Sequence, residues 1–283
     1  MRRIFKWLGI GLGAILGLLV IAATYVWFAA GQLIDGYYVQ PESTFVADPG
    51  SADIEEGRRA SLLRGCYSGC HGDELQGGVW FDNLLMGTVA APDLTRSFAQ
   101  LSDQDLDRVI RQGVRRDGKS ALIMPSSMLH HLSDTDLNNI IAFIRSQDAS
   151  DGPAMDVRPG VLARFFILRF AVTPHAQQIQ NDAPWLTEND APGKYLAITV
   201  CTECHGMDLK GNGEQMPNLA LVIAYTLEDF VRLMREGVPL GDRELELMKD
   251  VSLGRFKHFT DAEIEALYEY LVTLAGAAAS PAD

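Results

Sequence analysis

Two stretches of this chain spell nearly the same thing. GCHGDELQGG at residues 69–78 lines up with ECHGMDLKGNG at 203–213, LSDQDLDRVIRQGV at 101–114 with TLEDFVRLMREGV at 226–238, and LSDTDLNNIIAFIRS at 132–146 with FTDAEIEALYEYLVT at 259–273. The period is too long for a solenoid. It marks a duplicated domain of about 90–100 residues, an ordinary domain size. His71 pairs with His205, Gly113 with Gly237 and Asp134 with Asp261. The second copy is therefore ten residues shorter in its middle and three longer near its end.

Each copy reads as helices. EEGRRASLLRG and NDAPGKYLAITV lead into the cysteine stretches. Ser102 with Asp105, and Thr226 with Asp229, are close to a capping box, with Asp in place of Glu. Gly113 and Gly237 end those helices as C-terminal caps. Ser133 and Thr260 start the closing helices. Their apolar residues, Leu137, Ile140, Ile141 and Ile144 or Ile264, Leu267, Tyr268 and Leu271, recur at helical spacing. No hairpin signal stands out, so the soluble part is expected to be mostly helix.

The N-terminus adds a different element. Arg2, Arg3 and Lys6 precede 24 uncharged residues, Trp7 to Ala30. A spanning helix needs about 20 apolar residues, and a cleaved signal has an apolar region of only about 7–15. Trp27 and Phe28 before Ala29 and Ala30 make a poor cleavage context, so an uncleaved anchor is expected. The basic residues keep its start in the cytoplasm. In a bacterium this gives a single-pass inner-membrane protein with its soluble part in the periplasm. Gly9, Gly13 and Gly17 at four-residue spacing are a weak close-packing signal.

Net charge is −13, and setting aside the three basic residues of the anchor leaves −16 on residues 35–283. This argues against nucleic-acid binding. The acidity reads as solubility, with steering toward a basic partner as the sharper alternative. VRPGVLARFFILRFAV, between the copies, reads as a helix or strap packed between the two domains. A membrane-surface segment is the alternative, and it is disfavoured because Arg164 and Arg169 do not share a helical face.

All four cysteines, Cys66, Cys70, Cys201 and Cys204, lie in the two repeated stretches. Cys201, Cys204 and His205 have the C-x-x-C-H spacing of haem c attachment. Two thiols add to the porphyrin vinyl groups, and the adjacent His reaches the iron. A redox dithiol needs no such His, and a structural zinc site needs four ligands in one place. GCYSGCH keeps Cys70 beside His71 but has one residue more between its thiols. That residue must loop out if Cys66 is to reach its vinyl, and Gly69 offers the backbone freedom. Haem held by a single thioether is the rival reading there.

Both copies resemble class I cytochrome c domains over about residues 53–146 and 189–274: a helix, C-x-x-C-H-G, a loop region, a Met ligand and a closing helix. The resemblance implies a mainly α chain: an anchor (1–34), a linker (35–52), a first domain (53–150), a connector (151–188), a second domain (189–276) and a tail (277–283). It implies two covalent haems c, bound through Cys66 and Cys70 and through Cys201 and Cys204. His71 and His205 would be proximal ligands, with Met as the distal one. Met124, followed by Pro125, matches the family's Met-Pro. Met248 lies 11 residues after Gly237, as Met124 does after Gly113, but Lys249 stands where Pro is usual. Met128, His130 and His131 compete at the first haem and His258 at the second, while Met207 and Met216 read as core or loop residues. The arrangement is similar to membrane-anchored dihaem cytochromes c, including subunits that serve periplasmic dehydrogenases. The implied role is an electron carrier rather than an enzyme, relaying electrons between a periplasmic or membrane donor and an acceptor of a respiratory chain. A dihaem peroxidase-like enzyme and a docking subunit of a larger complex are the alternatives.

Overall fold

Residues Arg2–Ile34 form one helix of 33 residues, α1. At about 1.5 Å per residue its uncharged run exceeds the ~30 Å of a bilayer's hydrocarbon core. Its best 18-residue window has a mean hydropathy of 2.2, and among the described residues it is the one helix long and apolar enough to cross a membrane. The structure, a computed structural model, describes residues 2–39, 42–150, 157–170, 172–181, 186, 190–213, 216–241 and 244–279. Parts of the expected connector (151–156, 171, 182–185 and 187–189) and of the tail (280–283) lie outside them.

The first copy contains α2 (Ile54–Leu63), a hairpin of β1 (Gly78–Asn83) and β2 (Gly87–Ala91), α3 (Leu94–Gln100), α4 (Asp103–Arg111), α5 (Ser126–Leu129) and α6 (Asp134–Arg145). The connector holds β3 (Arg158–Pro159), α7 (Val161–Arg169) and α8 (His175–Asn181). The second copy has α9 (Pro192–Leu196), a wide π-helical turn (Ala197–Cys201), α10 (Thr202–His205), a 3₁₀ turn (Leu219–Ala224), α11 (Leu227–Glu236), α12 (Glu246–Gly254), a second 3₁₀ turn (Phe256–His258) and α13 (Asp261–Ala279).

The helix boundaries follow the capping residues. The Ser102 hydroxyl accepts from Asp105 N and the Asp105 carboxylate answers to Ser102 N, completing the box. Ser133 accepts from Asp136 N, Thr226 from Asp229 N, and Thr260 exchanges bonds with Glu263. Gly113 and Gly237 take left-handed φ values of 65° and 70°, which end α4 and α11 without a Cβ clash.

In each copy the opening helix crosses the closing helix at a glycine. A Cβ on Gly57 would overlap the Asn139 carbonyl oxygen in α6, and one on Gly193 would overlap the Ala266 carbonyl oxygen in α13. Each copy then closes over its own core. Leu75, Leu106, Leu137 and Ile141 lie at the centre of the first, and Ala197, Ile264 and Leu267 at the centre of the second. Leu63, at the end of α2, is packed into the core of the second copy.

Three expectations need correction. A hairpin is present: β1 pairs antiparallel with β2 across a bulge at Val79–Phe81, and β2 pairs with β3. Sequence alternation could not show it, because from Val79 to Asn83 every residue of β1 is exposed. The second lead-in helix begins only at Pro192 and widens over Ala197–Cys201. The connector helix α7 packs on the C-terminal end of α1, not between the two domains.

Candidate cofactor sites

The two cysteine stretches build one local design twice. In each, the motif histidine is turned so that its Nδ1 meets the carbonyl of a later proline: His71 to Pro92 at 2.8 Å and His205 to Pro217 at 2.7 Å. A carbonyl only accepts, so Nδ1 carries the hydrogen and Nε2 keeps its lone pair. Burial pushes both imidazoles below their ordinary pKa, with the proline carbonyl opposing, so both rings are neutral near pH 7. The histidine carbonyl in turn accepts from a glycine, Gly77 N at 2.9 Å and Gly211 N at 2.8 Å. Leu75 and Leu209 both have a φ of 58°, both are buried, and both carbonyls accept from the residue two past the proline, Leu94 N and Leu219 N.

The contacts place the length difference between the copies. His71 and Pro92 are 21 residues apart and His205 and Pro217 are 12 apart. The nine extra residues of the first copy lie in the hairpin, between Gly77 and Pro92.

The longer cysteine spacing of the first copy is absorbed by wide turns. Cys70 N donates to Gly65 O at 2.9 Å and His71 N to Cys66 O at 3.4 Å, each five residues back. Between the two cysteines the left-handed residue is Ser68, φ 53°, not Gly69 as the sequence suggested. Gly69 is needed for a different reason: a Cβ there would overlap the Gly65 carbonyl oxygen.

The second copy holds an apolar cleft that opens to solvent at its mouth. Cys201, Cys204 and His205 stand on one wall, and Leu219, Val222, Tyr225, Phe230, Leu267 and Leu271 supply an apolar lining. Met216 and Met248 both reach this cavity, whereas His258 is not among its described lining residues. An apolar cleft with a few convergent polar or sulfur groups suits a large flat cofactor. Burial pushes the Cys201 thiol up to about 12 and the Cys66 thiol up to about 11, and raises Cys70 and Cys204 too, so all four sulfurs stay protonated near pH 7.

Met124 lies just before α5, half-buried against the first core, while Met128 is 1% exposed within that core. His130 turns its Nδ1 to the Arg111 carbonyl at 2.7 Å. The equal spacing of Met124 and Met248 hides a local difference. Gly113 packs on Ser126, but Gly237 packs on Lys249, so the chain after Gly237 runs one residue out of register. Met124 precedes a helix and Met248 sits inside one.

Sequence reasoning missed the groups that join the two sites. Arg255, just past α12, donates from Nε and a terminal nitrogen to Leu63 O at 3.2 and 3.0 Å, and pairs with Glu203 at 3.0 Å. Its guanidinium lies over Gly65. Arg64, 4% exposed, pairs with Asp136 at 2.7 Å and reaches Thr199 and Tyr195 of the second copy. Arg59 of α2 pairs with Glu263 of α13 at 2.6 Å. The residues just before both motifs thus meet at one interface between the copies.

No curated protein matches the chain. The family described as cytochrome c matches residues 54–148 and 191–275, more than half of the 283 residues and the same two segments that carry the paired sites. Cytochrome c domains hold haem c covalently and use it for electron transfer. The chain belongs to the cytochrome c family, with two of its domains in tandem.

Proposed function

We propose that this chain is a membrane-anchored dihaem electron carrier. One haem c would be held by Cys66, Cys70 and His71 and a second by Cys201, Cys204 and His205. Bound haem c supplies an iron centre that takes up and releases one electron without a change of bonding partners. The chain's own residues do the remaining work. The two thiols of each motif would fix the porphyrin edge, and the histidine Nε2 would hold the iron from one face. The apolar wall of the cleft in the second copy would shield its haem from water.

Met124 and Met248 would provide the distal ligands. A thioether is neutral and favours ferrous over ferric iron, which places potentials on the higher side. The α1 helix would anchor the chain in the inner membrane with both domains in the periplasm, between a donor and an acceptor protein of a respiratory chain.

The observation that supports this reading best is the matched pair of histidines. In both copies the ring nitrogen not needed for iron is tied to a proline carbonyl at nearly the same distance. A ligand histidine needs that kind of second partner to fix its tautomer and orientation. Intact mass after acid–acetone extraction tests the proposal. The expected excess over the bare chain is two haems, and an excess of one would remove Cys66 and Cys70 from the assignment.

A further inference from the structure

We propose that α7 and the tip of the β1–β2 hairpin rest on the outer leaflet of the bilayer that α1 crosses. The first domain would then lie on the lipid surface through a built contact, not hang from a loose tether. The inference rests on the reading of α1 as a membrane anchor.

The last turns of α1 are covered on one face. Ala30 and Ile34 are buried there, and α7, whose Ala163 and Arg164 are both 7% exposed, packs against this end of α1. Arg164 is consumed by this contact. Its guanidinium lies 4.1 Å from the centre of the Trp27 ring and donates to the Trp27 carbonyl at 3.2 Å and to the Pro159 carbonyl at 3.0 Å. It also faces the Asp35 carboxylate at 3.7 Å. The arginine that argued against a lipid-facing segment therefore presents no charge outward.

What α7 presents outward is aromatic. Phe165, Phe166 and Phe170 are 45%, 39% and 69% exposed, with ring centres 5.8 and 6.0 Å apart along the series. Arg169 stands exposed at the end of the helix beside Phe170, where a lipid phosphate would meet it. The hairpin tip adds Leu84 and Leu85, 96% and 61% exposed. The tip is not a free loop. Leu162 N donates to Leu85 O at 3.0 Å and Gly160 N to Met86 O at 2.8 Å, so it is fixed to the start of α7.

Apolar surface of this kind costs about 25 cal/mol per Å² while it stays in water. Continuity decides what covers it. The patch adjoins Trp27 and the outer end of α1, where amphipathic aromatic rings mark the membrane–water boundary. A short helix held at that depth with phenylalanines outward is placed as interfacial helices are, its apolar side chains at the boundary between headgroups and acyl chains.

The test is photolabelling of the full-length holoprotein in nanodiscs of phosphatidylcholine and phosphatidylglycerol that carry a diazirine on the acyl chain. Peptides containing Leu84–Leu85 and Phe165–Phe170 should bear lipid adducts at a yield comparable to those from the middle of α1. Adducts on α1 with both other peptides clean would overturn the proposal and leave the anchor standing. No adducts on α1 either would overturn the anchor reading itself.

Discussion

Arg255 and Leu63 belong to different copies of the repeat, yet the guanidinium of one donates two hydrogen bonds to the carbonyl of the other. The same guanidinium pairs with Glu203, which lies between Cys201 and Cys204. One side chain therefore binds the end of α2 in the first copy to the cysteine motif of the second. The Leu63 side chain meanwhile fills the core of the second copy.

Arg255→Gln should loosen this joint. Hydrogen bonds to a charged group contribute about 1.5–3 kcal/mol each, so the loss is a few kcal/mol. Calorimetry should show the melting temperature falling and the two domains melting apart. The substitution also removes a positive charge from beside both motifs. Ferric haem loses an unfavourable neighbour, so both midpoint potentials should drop in a spectroelectrochemical titration. Unchanged potentials and a single unshifted melting transition would sink the idea of a shared joint.

Gly69→Ala and Ser68→Gly should act in opposite directions. The first forces a Cβ onto the Gly65 carbonyl oxygen within the widened turn, and haem attachment at Cys66 and Cys70 should fall sharply while attachment at Cys201 and Cys204 is kept. The second relieves a left-handed non-glycine residue and should be neutral or stabilising, by at most about 1 kcal/mol. Peptide mass spectrometry of each motif reads the outcome separately.

Met124→His and Met248→His should each remove about half of the weak near-infrared band of ferric His/Met haem, and each should lower one potential only, because a thioether favours ferrous iron. Met216 reaches the same cavity as Met248 and is the alternative at the second site. If Met248→His leaves band and potentials alone while Met216→His changes them, the distal ligand is Met216.

His131 gives the pH dependence. Burial, with His130 and Lys194 nearby, pulls its pKa down to about 4 from an ordinary 6.5. The unfolded chain then binds the proton more readily than the folded one. Stability from this group is complete above pH 6.5 and is lost as the pH falls toward 4. The slope is at most one proton's worth, about 1.4 kcal/mol per pH unit, and solvent at the half-exposed ring reduces it. Denaturant unfolding at several pH values should show a shallower acid slope in His131→Gln than in the parent. Equal slopes would rule His131 out.

The helix boundaries were legible because they are local. Ser102, Ser133, Thr226 and Thr260 cap in the structure as their spacing implies, and Gly113 and Gly237 take the left-handed turn a helix end calls for. The cysteine motifs were legible because attachment chemistry fixes their spacing. The partners of the two histidines were not, since 21 and 12 residues separate them from Pro92 and Pro217 and only a fold makes those distances equivalent. The ten-residue shortening was the available signal. Gly57 and Gly193 escaped notice because a glycine inside a helix does not say what crosses it. Arg255 escaped because long-range hydrogen bonds to a carbonyl leave no pattern in the chain.

A duplicated unit has no inherent beginning or end, and its halves start out interchangeable. The hairpin removes that freedom. Through β3 it splices the first copy to the segment that lies along α1, and Asp35–Lys119 and Tyr38–Gly118 contacts tie the same copy to the residues just after α1. The nine residues by which the first copy is longer between histidine and proline thereby give the pair a polarity. One half is grounded and the other is carried. A chain with its halves transposed would keep both cysteine motifs but would lift the grounded half away from α1.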